Sequence, residues 1–257
     1  MDYEKKVLPI MQATRDLLLS NWGSAKIIEQ KSQWEVDTVT ELDYKIEDQV
    51  SSSLKAAFPD IEFVGEERGG NRQAERFWLM DPIDGTTHFV RGLPFCTSML
   101  TLVENGKVTF SVIYDFLKDD FYWAGVGRGA FRNTTRLQVS SRPLSEAYIN
   151  WESNLDKGDN RRIYNQVRST VMLVQTISAG WEFAMVASGK LDARICLNPY
   201  GYDYDFAPGA FLVAEAGGTV ANIGSHTYDY RNTNLIAANP VIYKELTTGK
   251  DALLPIG

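Results

Sequence analysis

The sequence predicts an α/β fold, and three observations carry the prediction. Apolar residues recur at helical spacing near the N-terminus, short strand-like runs separated by turn signals crowd the middle, and strand and helix patterns alternate from about residue 145 onward. With 257 residues the chain can bury a large core and fits one structural unit or two closely packed subdomains.

A first helix fits residues 3 to 20, where Val7, Ile10, Met11, Leu17 and Leu18 form an apolar stripe, and a second fits about 40 to 57, opened by Thr40. The alternating Ile61-Glu62-Phe63-Val64 reads as a short strand ending at Gly65, and Phe77-Trp78-Leu79-Met80 as a buried one. Strands at Ser98 to Val103, Lys107 to Phe116 and Asp119 to Trp123 are separated by turn signals at Glu104-Asn105-Gly106 and Leu117-Lys118-Asp119, so antiparallel hairpins are expected. The C-terminal part reads as a strand near 147 to 151, helices near 159 to 170 and 179 to 188, a strand at 191 to 197 and a helix at 204 to 216. Strands at Gly218 to Ile223 and Leu235 to Ala238 and a helix from about 240 complete it.

A net charge of −7 without any basic cluster argues against nucleic acid as a partner. No apolar stretch is long enough to span a bilayer, and Met1-Asp2-Tyr3-Glu4-Lys5-Lys6 leads into an amphipathic pattern instead of a secretory signal, so a soluble cytoplasmic protein is expected. Cys96 and Cys196 sit among apolar residues with no metal-ligand spacing and are expected as buried free thiols. Only two histidines are present, His88 and His226, which leaves oxygen-ligated ions as the natural metal class.

The most informative stretch is Asp81-Pro82-Ile83-Asp84-Gly85-Thr86-Thr87, which follows the apolar run Phe77 to Met80. Pro82 stiffens the backbone and biases Asp81 toward an extended conformation, while Gly85 permits a sharp turn or a close approach to a ligand. Two carboxylates with the Ile83 carbonyl between them offer hard oxygen ligands of the kind Mg²⁺ takes, and the threonine hydroxyls and amides offer partners for phosphate or water. A bare D-x-x-D is ordinary turn chemistry. The longer string resembles the signature of the inositol monophosphatase family, metal-dependent and lithium-sensitive phosphatases of a superfamily that includes fructose-1,6-bisphosphatase.

Three other segments are similar to that family's elements in the same order. They are Asp37-Thr38-Val39-Thr40-Glu41-Leu42-Asp43, Val64-Gly65-Glu66-Glu67, and Tyr204-Asp205-Phe206-Ala207-Pro208-Gly209 with the downstream Glu215-Ala216-Gly217-Gly218. The resemblance implies an α-β-α-β-α sandwich, with residues 1–143 forming an N-terminal subdomain that carries most of the metal site. Residues 144–257 would form a second subdomain, supplying Asp205 and part of the substrate pocket. It further implies Mg²⁺ as cofactor, two or three ions per site, held by Glu66, Asp81, the Ile83 carbonyl, Asp84 and Asp205. The implied reaction is in-line hydrolysis of a phosphate monoester, with inositol-1-phosphate as the first candidate. An ion near Glu66, Asp81 and Ile83 would activate the attacking water, and one at Asp81, Asp84 and Asp205 would neutralise the leaving oxygen. Glu66, Thr86 and Asp43 take the catalytic roles, Thr86 orienting the water through a hydroxyl hydrogen-bonded to Asp43. Asp84, Gly85, Thr86, Thr87, Ala179 and Asp205 are the implied substrate-binding residues, and the amides of residues 85 to 87 would bind phosphate if they open a helix. On this reading Asp84→Asn or Thr86→Ala costs orders of magnitude in kcat and leaves the fold intact. A small-molecule substrate, no membrane partner and a homodimer complete the expectations.

The chain also departs from the pattern. His88 stands where Asn is usual, Tyr204 replaces a tryptophan, Pro208 replaces an alanine, and Ile177-Ser178-Ala179 lacks the glycine of the usual G-S-A. Asp203 is a rival to Asp205 with the wrong offset. The segment Cys196 to Asp203 is about two residues longer than in inositol-binding members and offers Asn198, Tyr200 and Tyr202 where they carry a glutamate. Substrates such as fructose 1,6-bisphosphate, histidinol phosphate or 3′-phosphoadenosine 5′-phosphate are therefore alternatives, as is a metal-dependent binding or regulatory protein without turnover.

Overall fold

The computed structural model describes residues 2–30, 38–249, 252–254 and 256. Asp37, the first residue of the D-x-V-T-x-x-D element, lies outside them. The predicted first helix is two: α1 (Glu4–Gln12) and α2 (Arg15–Asn21). The break falls at Ala13-Thr14, where the buried Thr14 hydroxyl donates back to the Met11 carbonyl at 2.7 Å, a local bond that competes with helix continuation. An antiparallel pair of β1 (Ile27–Gln30) and β2 (Thr38–Thr40), which periodicity did not show, precedes α3 (Glu41–Ala57). Thr40 and Asp43 form a reciprocal capping box that fixes the start of α3.

Next come β3 (Glu62–Gly65), β4 (Arg76–Asp84), the short α4 (Thr86–Val90), β5 (Thr97–Glu104), β6 (Lys107–Asp115) and β7 (Asp120–Gly125). β8 (Gly129–Arg132) and β9 (Thr135–Arg136) extend the meander beyond the predicted strands. These seven strands form one sheet in sequence order, parallel between β3 and β4 and antiparallel thereafter, as the hairpin spacing predicts.

After a 3₁₀ turn at Leu144–Glu146 come β10 (Tyr148–Ser153), α5 (Asn160–Arg168), β11 (Met172–Gln175), α6 (Ala179–Ala187), β12 (Ala193–Leu197) and α7 (Asp203–Glu215). The chain continues through β13 (Thr219–Asn222), β14 (Leu235–Ala238) and α8 (Pro240–Thr247). The second sheet has the order β11-β10-β12-β14-β13, parallel among the first three strands and antiparallel among the rest. β11 escaped the sequence reading because its four residues form a half-exposed edge with no alternation to read.

Apolar cores hold five layers together. One lies between α1 to α3 and one face of the seven-stranded sheet, and includes Val7, Met11, Ile46, Trp78, Phe110, Val112 and Tyr114. The second joins that sheet's other face to α6 and α7 and to the inner face of the five-stranded sheet, through Met99, Ile113, Phe183, Phe206, Cys196 and Leu235. Its outer face packs on α5 and α8 through Trp151, Val167, Ile195, Ile236 and Ile242. Strand alternation assigns the sides: Leu235 and Ala237 face inward, Ile236 and Ala238 outward. The result is the expected α-β-α-β-α sandwich of mixed α/β class. Cys96 and Cys196 are buried and free, and among the described residues no helix is long and apolar enough to cross a membrane.

Candidate active site

β4 does not stop at Met80 but runs through Asp84, with eight of its nine residues buried. Its ladder with β5 pairs Asp81 with Met99 and then shifts, so that Asp84 pairs with Thr97. Pro82 has no N–H to give to a ladder, and a bulge is where a strand tolerates it. In an uninterrupted strand residues 81 and 84 would face opposite sides; the irregularity turns both carboxylates to one place. Gly85, at φ 78°, then reverses the chain into α4. A side chain there would sit 2.6 Å from the Phe95 carbonyl.

The third carboxylate comes from α7. Asp205 is the third residue of that helix, and its Oδ2 accepts from the Tyr202 amide at 2.6 Å. One oxygen from each of Asp81, Asp84 and Asp205 lies within 4.8 Å of the others. Asp81 Oδ1 is buried with no hydrogen-bond partner. Burial, followed by the negative charge of Glu66 and its neighbours, pushes Asp81 well above the usual carboxylate range. Burial, with Glu66 and Asp84, does the same to Asp205. Three converging carboxylates, an unpartnered buried oxygen and an all-oxygen donor set fit a hard divalent cation.

Glu66 follows β3 directly. Its amide donates to the Met80 carbonyl at 3.0 Å, which sets it beside the residue preceding Asp81. It stands outside the 4.8 Å trio, yet it is the strongest neighbouring charge on both Asp81 and Asp205.

Two expected contacts are different in the structure. The Thr86 hydroxyl donates to the Ile83 carbonyl at 2.8 Å instead of pairing with Asp43, because one turn of backbone brings residues 83 and 86 together. Asp43, 1% exposed, instead accepts from the Thr40 amide and hydroxyl, both at 2.7 Å. Burial raises its carboxyl to about 7 against those stabilising bonds, with Glu66 and Glu67 adding to the rise. The Ala179 amide, expected to meet substrate, donates to Asp84 Oδ1 at 3.1 Å. Ser178 Oγ (2.5 Å), the Gly180 amide (2.8 Å) and Thr97 Oγ1 (3.1 Å) donate to Asp84 Oδ2. Asp84 thereby bolts the start of α6 onto the seven-stranded sheet.

Gly85, Thr86 and Thr87 do begin a helix, α4, beside Asp84. Asp203, the rival to Asp205, is engaged by Arg72 at 2.5 Å. Tyr204 packs with Val64, Phe77 and Leu79. His88 stands edge-on to Phe95, with burial lowering its pKa, and its Nδ1 is buried without a partner. Tyr200 and Tyr202 are 70% and 59% exposed.

Sequence reasoning missed Glu47. This buried residue lies one helical turn after Asp43 and accepts from the amides of Glu67 (2.7 Å) and Arg68 (3.0 Å), so it shapes the turn that carries Glu66. The i, i+4 spacing from Asp43 was the available signal. Gly65 is required beside it, since a side chain there would reach within 2.2 Å of the Glu47 carboxylate.

Comparison with known proteins agrees with this geometry. The inositol monophosphatase family model matches residues 7–251. A Thermotoga maritima protein described as fructose-1,6-bisphosphatase/inositol-1-monophosphatase is 30% identical over 241 residues, covering 93% of this chain and 92% of that one. The inositol-1-monophosphatase of Bacillus subtilis is 33% identical over 221 residues, covering 82% of each. The solved structure of a Thermotoga maritima IMPase superposes with a TM-score of 0.85 at 29% identity, over 95% of both chains. With the motifs, the layering and these relatives in agreement, the chain belongs to the inositol monophosphatase family and is a phosphoric monoester hydrolase.

Proposed function

We propose that the chain hydrolyses inositol-1-phosphate to inositol and phosphate, with Mg²⁺ bound by Asp81, Asp84, Asp205, Glu66 and the Ile83 carbonyl. The observation that carries this reading is the convergence of three carboxylates within 4.8 Å at a buried oxygen that has no hydrogen-bond partner. Relatives named inositol monophosphatase favour the substrate. Ions held there would supply Lewis-acid activation of water and neutralise charge on the leaving oxygen.

The protein's own groups would do the rest. Thr86 Oγ1 spends its proton on Ile83, which leaves its lone pairs to accept from the attacking water. Asp43, whose carboxyl burial raises to about 7, is the candidate acceptor for the proton that the water would lose. Gly85, Thr86 and Thr87 lie beside Asp84, where a phosphate would be received. The division into subdomains 1–143 and 144–257 is supported by the two sheets, whose strands fall within 62–136 and 148–238. Lithium sensitivity, two or three ions per site, a cytoplasmic location and a homodimer belong to the same proposal.

The Thermotoga relative's double description favours fructose 1,6-bisphosphate as a second substrate. Phosphate release would be measured from a panel of these two esters, histidinol phosphate and 3′-phosphoadenosine 5′-phosphate, with Mg²⁺, with EDTA and with added lithium. The proposal expects Mg²⁺-dependent release that is highest for inositol-1-phosphate. Higher turnover of another ester would reassign the substrate, and no release from any ester would leave a binding protein.

A further inference from the structure

Behind the candidate site lies a buried charge cluster that the reaction above does not use. Arg194 projects from the inner face of β12, fully buried, with its guanidinium 4.9 Å from the Phe183 ring centroid and 5.3 Å from that of Phe206. It pairs with Glu182 of α6 and with Glu152 of β10, and Nη1 donates to Asn150 Oδ1 at 3.2 Å. Two buried carboxylates on one guanidinium are a poor source of stability, because desolvation offsets their attraction and apolar side chains of equal volume would serve as well. The remaining lone pairs of the two glutamates show another use.

Glu182 Oε1 accepts from the Ile177 amide at 2.5 Å, and Oε2 accepts from Thr176 Oγ1 at 3.1 Å. The next three residues, Ser178, Ala179 and Gly180, are those that grip Asp84. Glu152 Oε1 accepts from the Tyr200 amide at 3.0 Å. Two residues on, the Tyr202 amide holds Asp205. One guanidinium thus stands at the root of both segments that carry or brace a carboxylate of the trio.

We propose that Arg194 is a positioning residue for the phosphatase site. Through Glu182 it fixes residues 176–180 behind Asp84, and through Glu152 it fixes residues 198–202 ahead of Asp205. The relative position of the two carboxylates is then set by one rigid, forked group, which a flexible point charge cannot replace. This inference rests on the reading of the trio as the catalytic metal site.

The test compares Arg194→Lys and Glu152→Gln with the parent chain by hydrogen exchange and by steady-state kinetics with Mg²⁺. Lysine keeps the charge but cannot span both glutamates, so exchange at the Ile177 and Tyr200 amides should quicken about tenfold or more and kcat/KM should fall about tenfold or more. Glu152→Gln keeps Arg194 and the side-chain volume. It should quicken exchange at Tyr200 alone and lower kcat several-fold, with KM held within about twofold, because Asp205 is assigned to the leaving oxygen. It also keeps the proposal testable should the lysine variant fail to fold. Parent-like kinetics in the variants, or kinetic losses without faster exchange at these amides, would overturn it. If the parent chain itself releases no phosphate, the activity reading fails, and exchange at the two amides alone decides whether Arg194 ties the segments together.

Discussion

Glu47 offers a quantitative test of how the acidic centre is held. It is buried, and burial raises its carboxyl from 4.5 to about 7 against the stabilising Glu67 and Arg68 amides. A folded pKa above the unfolded one means that the folded chain binds the extra proton. Stability from this group is therefore present below about pH 4.5 and lost as pH rises toward 7. The ionised form costs up to about 3 kcal/mol, reduced to about 2 kcal/mol by screening. Glu47→Gln removes the charge and leaves one backbone N–H facing the new amide group, a loss of about 1 kcal/mol. In EDTA the variant should be less stable than the parent at about pH 5 and more stable at about pH 8, since only the parent must ionise a buried carboxyl. Because the unfolded carboxyl already titrates at 4.5, about 1.5 kcal/mol of that cost falls between pH 5 and pH 8, and at about 2–4 °C per kcal/mol the Tm difference between variant and parent should move by about 3–6 °C. Taking the difference cancels the titration of every other acid, which both proteins share. Thermal denaturation at the two pH values measures it. A Tm difference that is equal at both, or that moves the other way, would refute the reasoning.

Asp81→Asn removes a buried charge that lies within 4.8 Å of two other carboxylates, a repulsion of about 3 kcal/mol per ionised pair at an effective dielectric constant of 20. In EDTA its Tm should exceed that of the parent, and the rise in Tm that Mg²⁺ gives the parent should disappear; a variant less stable in EDTA would contradict the crowding of charge around Asp81. Ser178→Ala deletes a charge-assisted bond to Asp84 and should lower stability by about 2 kcal/mol, read as a Tm drop of about 4–8 °C. An unchanged Tm would show that Ser178 does not help bolt α6 to the sheet.

The helices and most strands of this protein are written in local patterns. The stripe from Val7 to Leu18, the Thr40 cap and the alternation at Lys107 to Phe116 needed no tertiary information, because period and capping are properties of neighbours in the chain. The continuous helix expected over residues 3–20 was wrong at Thr14, where one side-chain bond outweighs periodicity. β8, β9 and β11 were invisible because strands of two to four residues gain their stability from the partner beside them.

For the site, the sequence by itself determined the chemistry: acidic residues, a proline and a glycine in fixed order, matched by similar elements from residue 37 to residue 218. Tertiary structure decided who touches whom. Asp205 lies 121 residues beyond Asp84, and only the packing of α7 between the sheets brings them together. The expected Thr86 to Asp43 bond and the free Ala179 amide gave way to Ile83 and Asp84 as partners, and Glu47 and Arg194 emerged as buried supports. A sequence names donors and acceptors, but a hydrogen bond forms only where burial and backbone direction place both ends within about 3 Å of each other.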